Sequence, residues 1–266
     1  MGEGARIDPP PWPPDFPEVL VQTTLEGLYG AALAPGEGID AKGRSPAYLA
    51  AKAGDVDAAR RVVEAVIRPE VTAGLAGRYP DATVVAVHAE ERSGRNALPE
   101  TYAVAIGEVA GLLVDDTIVQ TNRTWHTGAN ARQRLARTPR FAGRVLSGRR
   151  YIVVDDVVTS GSSLAALRHF IEGRGGTVCL ATTLASARPK WGRNPLRLAI
   201  EAGTIAALEE KFDRSAVDAI LQHYGTAPSL RHLTEAQGRT LLGFRSVDAI
   251  RSSIASGGQA ADPPAT

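Results

Sequence analysis

The stretch that decides the fold is Tyr151-Ile-Val-Val-Asp-Asp-Val-Val-Thr-Ser-Gly-Ser-Ser163. Its apolar start predicts a buried strand of a parallel sheet, and the carboxylates Asp155 and Asp156 follow at the end of that strand. A turn of small residues then leads into a helical stretch over 164–172. This order predicts a strand–turn–helix unit whose turn lies at the carboxyl edge of the sheet.

The turn has the chemistry of a phosphate-binding loop. Gly161 permits backbone angles that other residues avoid, and the N–H groups of the first helical turn carry partial positive charge. The turn contains no lysine, which argues against a P-loop NTPase. The two carboxylates before it accept hydrogen bonds from sugar hydroxyls and hold hydrated magnesium. We therefore expect a ligand with a phosphate at one end and a cis-diol at the other. The residues assigned to the phosphate are Thr159, Ser160, Gly161, Ser162 and Ser163.

This segment resembles the 5-phosphoribosyl-1-pyrophosphate (PRPP) signature of the type I phosphoribosyltransferases. The resemblance implies that Asp155 and Asp156 hold the ribose hydroxyls and that residues 159–163 hold the 5-phosphate. It also implies Mg²⁺ as the cofactor, carried to Asp155 and Asp156 by PRPP rather than bound directly by the protein. The implied reaction transfers 5-phosphoribose to a nitrogenous base and releases pyrophosphate. The alternative is a packing crossover with an incidental serine loop.

A polar loop over 90–96 follows the first predicted core strand. In the type I family the equivalent loop holds the pyrophosphate, and this one resembles it in position and chemistry. Arginine suits pyrophosphate because its planar fork makes two charge-assisted hydrogen bonds. The resemblance assigns pyrophosphate binding to Arg92, Ser93, Gly94 and Arg95, and makes Arg92 a catalytic residue beside Asp155 and Asp156. The alternative is a solvated surface loop.

An arginine-rich segment over 123–134 continues into Gln133-Arg134-Leu135. This pattern resembles the competence-associated relatives of the same superfamily. It predicts a lid over PRPP, with Arg123 or Arg132 touching the pyrophosphate. The alternative is a solvated loop that Trp125 anchors.

The order of strands and helices over 83–187 predicts an α/β fold: a parallel-sheet, Rossmann-like core of the type I phosphoribosyltransferase kind, with helical N- and C-terminal additions. Hairpin pairing is expected between 140–146 and 149–154. The predicted division is a flexible proline-rich arm (1–17), a helical N-terminal segment (18–80), the phosphoribosyltransferase core (81–188), a helical C-terminal segment (189–256) and a disordered tail (257–266).

Composition limits the partners. The 266 residues carry a net charge of +1, which gives no overall field toward nucleic acid or membrane. The single cysteine excludes an intrachain disulfide and, with no visible signal peptide, favours the cytoplasm. The expected partners are PRPP and an unidentified base, with nucleic acid left open as a less favoured partner and a homodimer left open as the assembly.

Two alternatives to catalysis stay open. The chain is either a phosphoribosyltransferase, a non-catalytic PRPP-binding regulator, or a competence-like nucleic-acid-processing protein. The segment that covers the acceptor base is either 18–72 or 190–254 or both, so the sequence does not identify the acceptor.

Overall fold

The computed structural model describes residues 7–88, 90–91, 94–122, 124, 130–187 and 196–259. Its strands are β1 (Leu20–Thr24), β2 (Ala82–Ala86), β3 (Glu90–Glu91), β4 (Gly94–Arg95), β5 (Leu113–Asp115), β6 (Val119–Gln120), β7 (Phe141–Ala142), β8 (Arg150–Val158) and β9 (Thr177–Ser186). Its helices are α1 (Leu25–Tyr29), α2 (Pro46–Lys52), α3 (Val56–Val66), α4 (Pro69–Arg78), α5 (Leu98–Ala110), α6 (Ala131–Ala136), α7 (Ser162–Glu172), α8 (Ala202–Lys211), α9 (Arg214–His223), α10 (Glu235–Leu242) and α11 (Val247–Gln259), with a 3₁₀ turn at Leu230–His232.

Five parallel strands form the central sheet in the order β1-β9-β8-β2-β5. The middle strand β8 is apolar and buried from Tyr151 to Val154, as a parallel strand covered on both faces must be. Ile152 and Val154 pack toward α2–α5, whereas Tyr151 and Val153 pack toward α7. The predicted α/β fold with a parallel sheet is confirmed.

The C-terminal helices α8–α11 form a third apolar cluster of their own, which also includes Leu135 of α6. The predicted helical additions at both ends of the core are therefore present. None of the helices in the described ranges has the length and apolar character needed to cross a bilayer.

The sheet differs from the prediction in three places. The N-terminal segment 18–80, predicted as helical, begins with β1, which pairs with β9 and extends the sheet. The predicted hairpin between 140–146 and 149–154 does not form, because β7 pairs with β6 and β8 lies between β2 and β9. Finally, β8 does not end before the acidic pair but continues to Val158, since β9 supplies ladder partners up to Ser186.

The described part of the proline-rich arm, residues 7–17, contains no helix or strand and packs against the core. Trp12 and Phe16 are buried beside α7. The indole Nε1 of Trp12 donates to the carbonyl of His232, and the guanidinium of Arg168 lies 4.3 Å from the Trp12 ring centroid. The arm therefore joins α7 to the C-terminal helices through aromatic burial that its proline content does not reveal.

Candidate functional site at the carboxyl edge of the sheet

The candidate site lies where β8 runs past its neighbour β2. The ladder between them ends at Ala86 and Val154, whereas the ladder between β8 and β9 continues to Val158 and Ser186. Among the described residues, one backbone edge of β8 beyond Val154 therefore has no strand beside it. Ligands of open parallel sheets bind in such crevices outside the carboxyl ends of the strands.

Asp156 is held on this edge by two side chains from other elements. The Lys52 Nζ lies 2.9 Å from its Oδ2, and the Asn96 Nδ2 donates to the same oxygen at 3.1 Å. Asp156 is buried, and its own Oδ1 accepts from the N–H of Val157. Burial alone would raise the pKa of Asp156, but Lys52 and Asn96 outweigh it and hold that pKa below its usual value. Asp156 is therefore the charged member of the pair.

Asp155 has the opposite electrostatic environment. Burial in the sheet and the adjacent negative charge of Asp156 raise the pKa of Asp155 well above its usual value. Its Oδ1 accepts from the N–H of Asp156 at 2.8 Å. Two neighbouring carboxyl groups with pKa values displaced in opposite directions form a pair in which one stays ionised and the other can exchange a proton.

The loop over 159–163 leaves β8 and starts α7. Gly161 has φ +74°, the left-handed conformation that favours glycine, and it caps the helix without a side chain. The N–H groups of the first turn of α7 lack intrahelical acceptors, which is the property that lets helix N-termini bind anions. Ser160 and Ser162 bring their hydroxyl oxygens to 3.1 Å of each other. The loop thus joins a left-handed glycine to the start of a helix, and its assignment to a phosphate stays a prediction.

The C-terminal segment packs directly on this loop. The Thr234 hydroxyl donates to the carbonyl of Ser160 at 2.6 Å and accepts from the N–H of Gln237 at 3.2 Å. A Cβ added at Gly161 would overlap the side chain of Leu198. Thr234 and Leu198 are almost fully buried. One side of the loop is therefore fixed by residues far away in the sequence.

The predicted pyrophosphate loop is a short hairpin of β3 and β4. Glu90 pairs with Arg95 and Glu91 with Gly94, whereas Arg92 and Ser93 lie outside the described residues. Gly94 has φ +128°, and a Cβ there would stand 2.6 Å from the carbonyl oxygen of Ala53. The hairpin therefore presses against the end of α2, which brings it beside Lys52.

Arg95 is engaged in the structure rather than extended toward a ligand. Its guanidinium contacts Glu100 and lies 2.8 Å from the Nδ1 of His88. Burial of the Glu100 carboxylate works against ionisation, but His88 and Arg95 outweigh it and keep the Glu100 pKa below its usual value. Arg95 would have to leave Glu100 to bind pyrophosphate.

The arginine-rich segment is described only from Asn130 onward and at Thr124, so Arg123 lies outside the described residues. Gln133 closes a capping box with Asn130 at the start of α6, and Leu135 is buried among the C-terminal helices. Arg132 lies 4.6 Å from the ring centroid of Phe244. Among the described residues this segment joins the C-terminal helices, and its role as a lid stays a prediction.

Sequence reasoning missed Lys52, Asn96 and Thr234. Lys52 and Asn96 carry no motif, and only the folding of α2 and the hairpin onto β8 brings them to Asp156. Thr234 had a usable signal, because Thr-x-x-Gln before a helix is a capping-box pattern that fixes a helix start. Within the described ranges, no cluster of three or more His, Cys, Asp and Glu side chains could hold a metal ion.

Comparison with known proteins gives two curated relatives and several solved structures, whereas no protein-family model matches the chain. Protein TraN of Escherichia coli is 35% identical over 260 residues, which cover 96% of this chain and 52% of TraN. An uncharacterized protein of Haemophilus influenzae is 29% identical over 162 residues, covering 60% of this chain and 33% of that protein. The chain thus spans about half the length of TraN and a third of the other relative.

The similar solved structures include phosphoribosyltransferases and a UMP synthase. Orotate phosphoribosyltransferase from Aeropyrum pernix is 19% identical with a TM-score of 0.33, covering 61% of this chain and 78% of that one. Purine phosphoribosyltransferase from Pyrococcus horikoshii is 16% identical with a TM-score of 0.33, covering 48% of this chain and 75% of that one. UMP synthase of Leishmania donovani is 14% identical with a TM-score of 0.32, covering 82% of this chain and 40% of that one. These similarities are at a low level of sequence identity and of structural overlap.

Proposed function

We propose that this chain binds PRPP at the carboxyl edge of β8 and transfers its 5-phosphoribosyl group to a nitrogenous base. The observation that carries the proposal is the continuity of three features along one segment: the acidic pair, the left-handed Gly161 and the start of α7. A phosphate at the α7 N-terminus and sugar hydroxyls near the carboxylates match the two ends of a phosphorylated ribose.

In this proposal each residue has one task. The N–H groups and hydroxyls of 159–163 hold the 5-phosphate, and the ionised Asp156 accepts from a ribose hydroxyl while Lys52 and Asn96 keep it in place. Asp155, with its raised pKa, accepts a proton from the incoming base nitrogen as the bond to C1 forms. Arg92 and Arg95 neutralise the charge that grows on the departing pyrophosphate; such donors typically lower a barrier by ~3 kcal/mol each.

Magnesium would enter with PRPP. The ammonium group of Lys52 already neutralises Asp156, so this carboxylate is a poor direct ligand for a dication. The donor set therefore fits an ion held mainly by pyrophosphate and water oxygens near Asp155. When bound, the ion would neutralise negative charge on the leaving pyrophosphate.

A second candidate, a non-catalytic PRPP sensor, is favoured by the hydrogen bond between Thr234 and Ser160. This bond connects the proposed phosphate loop directly to the C-terminal helices. A ligand that shifts the loop would therefore shift the start of α10 and alter the surface that a partner meets.

Two measurements separate these candidates. Calorimetry with Mg²⁺ and PRPP should show binding by the wild type and weaker binding by the isosteric variant Asp156→Asn, which loses the ionised acceptor of the ribose hydroxyl. A transferase should then release pyrophosphate with at least one member of a panel of purine and pyrimidine bases. Binding without release from any base would favour the sensor, and no binding would refute both.

A further inference from the structure

Positive charge is concentrated in one stretch of the chain. Residues 117–154 contain eight arginines and no aspartate or glutamate, although the whole chain has a net charge of only +1. This imbalance does not follow from arginine abundance alone, because abundance explains the number of arginines but not the absence of acids. The eight are Arg123, Arg132, Arg134, Arg137, Arg140, Arg144, Arg149 and Arg150.

Arginines inside this stretch also form fewer ion pairs than arginines in the rest of the described chain. Of the fourteen described arginines outside this stretch, eight lie within 4.0 Å of a carboxylate: Arg44, Arg60, Arg95, Arg168, Arg214, Arg231, Arg239 and Arg251. Five arginines inside the stretch have no carboxylate partner among the described residues. We call these five the arginine band: Arg132, Arg140, Arg144, Arg149 and Arg150.

The arginine band follows the chain from the C-terminal helices to the amino end of the sheet. At one end Arg132 and Arg245 line a cavity of about 320 Å³ beside Phe244. Arg140 and Arg144 are exposed in the middle, on either side of β7. At the other end Arg149 and Arg150 line a cavity of about 440 Å³ beside the start of β8. The band therefore leads away from the carboxyl edge where the candidate site lies.

We propose that the arginine band binds the sugar–phosphate backbone of a nucleic acid. Arginine donates two parallel hydrogen bonds to one phosphate, and an arginine without an internal carboxylate is available to do so. A band of cations spaced along one path fits a polymer whose anions repeat along a line. This activity is separate from the proposed binding of PRPP, and neither depends on the other.

The test is fluorescence anisotropy with a labelled 20-nucleotide single strand and the matching duplex, titrated over a range of salt concentrations. The test variant is Arg140→Gln with Arg144→Gln, two exposed arginines whose side chains make no ion pair in the described structure. The control is Arg60→Gln with Arg251→Gln, which removes the same charge from arginines paired with Asp57 and Asp248. Circular dichroism verifies that each variant folds.

The wild type should bind at least one oligonucleotide with an affinity that falls steeply with salt. The test variant should bind at least tenfold more weakly at low salt, and the slope of log K against log salt should shrink by about 1.4 for a single strand, since each phosphate contact contributes about −0.7. The control should match the wild type within twofold. Absence of binding by the wild type, equal losses in the two variants, or binding only to anionic phosphatidylserine vesicles would overturn the proposal.

Discussion

Lys52 at the end of α2 places its ammonium nitrogen 2.9 Å from the Oδ2 of Asp156 in the middle strand of the sheet. Both side chains are largely buried, at 16% and 8% exposure. Removing one partner leaves the other as an uncompensated buried charge, which costs about 3 kcal/mol or more. We therefore predict that Lys52→Met lowers the free energy of unfolding by about 3 kcal/mol.

Urea denaturation at neutral pH measures this loss, with Lys42→Met at an exposed lysine as the control. The double variant Lys52→Met with Asp156→Leu should recover much of the stability, because it removes both charges. A Lys52→Met protein as stable as the wild type would show that the ion pair does not hold α2 to β8.

The ionisation of Asp155 should lower the free energy of unfolding at neutral pH. Because its pKa is raised in the folded protein, the folded state holds a proton that the unfolded chain has lost above the usual value of 3.8. Stability that is present at low pH is therefore lost as pH rises through the folded pKa. We predict that Asp155→Asn is more stable than the wild type at pH 7, and that the difference disappears below about pH 4, as thermal denaturation across pH would show. A variant less stable than the wild type at pH 7 would contradict the assignment.

Thr234 should position the phosphate loop. Thr234→Val removes the donor to the carbonyl of Ser160 and the acceptor for Gln237, and a lost buried hydrogen bond with its partner left unsatisfied costs about 1–3 kcal/mol. Thr234→Ser keeps the hydroxyl and serves as the control. We expect Thr234→Val to weaken the affinity for Mg²⁺–PRPP, measured by calorimetry, beyond any effect of Thr234→Ser. Equal affinities in the two variants would assign Thr234 a role in folding alone.

His169 in α7 should make the protein sensitive to acid. Its Nε2 is buried without a hydrogen-bond partner in the described structure, and burial together with the charge of Arg168 lowers its pKa to about 3. The unfolded chain binds the proton near pH 6.5, so stability falls by about 1.4 kcal/mol per pH unit below that value.

The variant His169→Leu should lose less stability as pH falls, when the free energy of unfolding is measured by urea denaturation between pH 4 and 6.5. His223→Leu changes an exposed histidine of α9 and should leave this dependence of stability on pH unchanged. An unaltered slope in His169→Leu would mean that other groups cause the loss of stability.

The sequence predicted the central part of the fold because the signals there are local. The apolar run before Asp155 and the left-handed glycine before α7 are both set by neighbouring residues, and both appear in the structure. The continuation of β8 to Val158 depends instead on the length of β9. Likewise β1 is a strand because it reaches the edge of β9, although its sequence alone suggested a helix.

The contacts of the site residues could not be predicted from local sequence either. Asp156 was predicted from its position after an apolar strand, but its partners Lys52 and Asn96 lie 104 and 60 residues away. The burial of Trp12 under Arg168 was equally hidden, since a run of prolines indicates an extended chain and not what that chain packs against. Contacts between distant segments follow from packing, and packing has no short sequence pattern.

The most direct test of the account places a negative charge at the proposed phosphate site. Ser163→Asp introduces a carboxylate in the first turn of α7, where it should favour the helix but repel the 5-phosphate. Ala202→Asp makes the same change in the first turn of α8 and is the control. Calorimetry with Mg²⁺–PRPP should show binding by the wild type and by Ala202→Asp, and affinity at least 100-fold weaker for Ser163→Asp. Binding of Mg²⁺–PRPP by Ser163→Asp with wild-type affinity, or no binding by the wild type, would contradict the account.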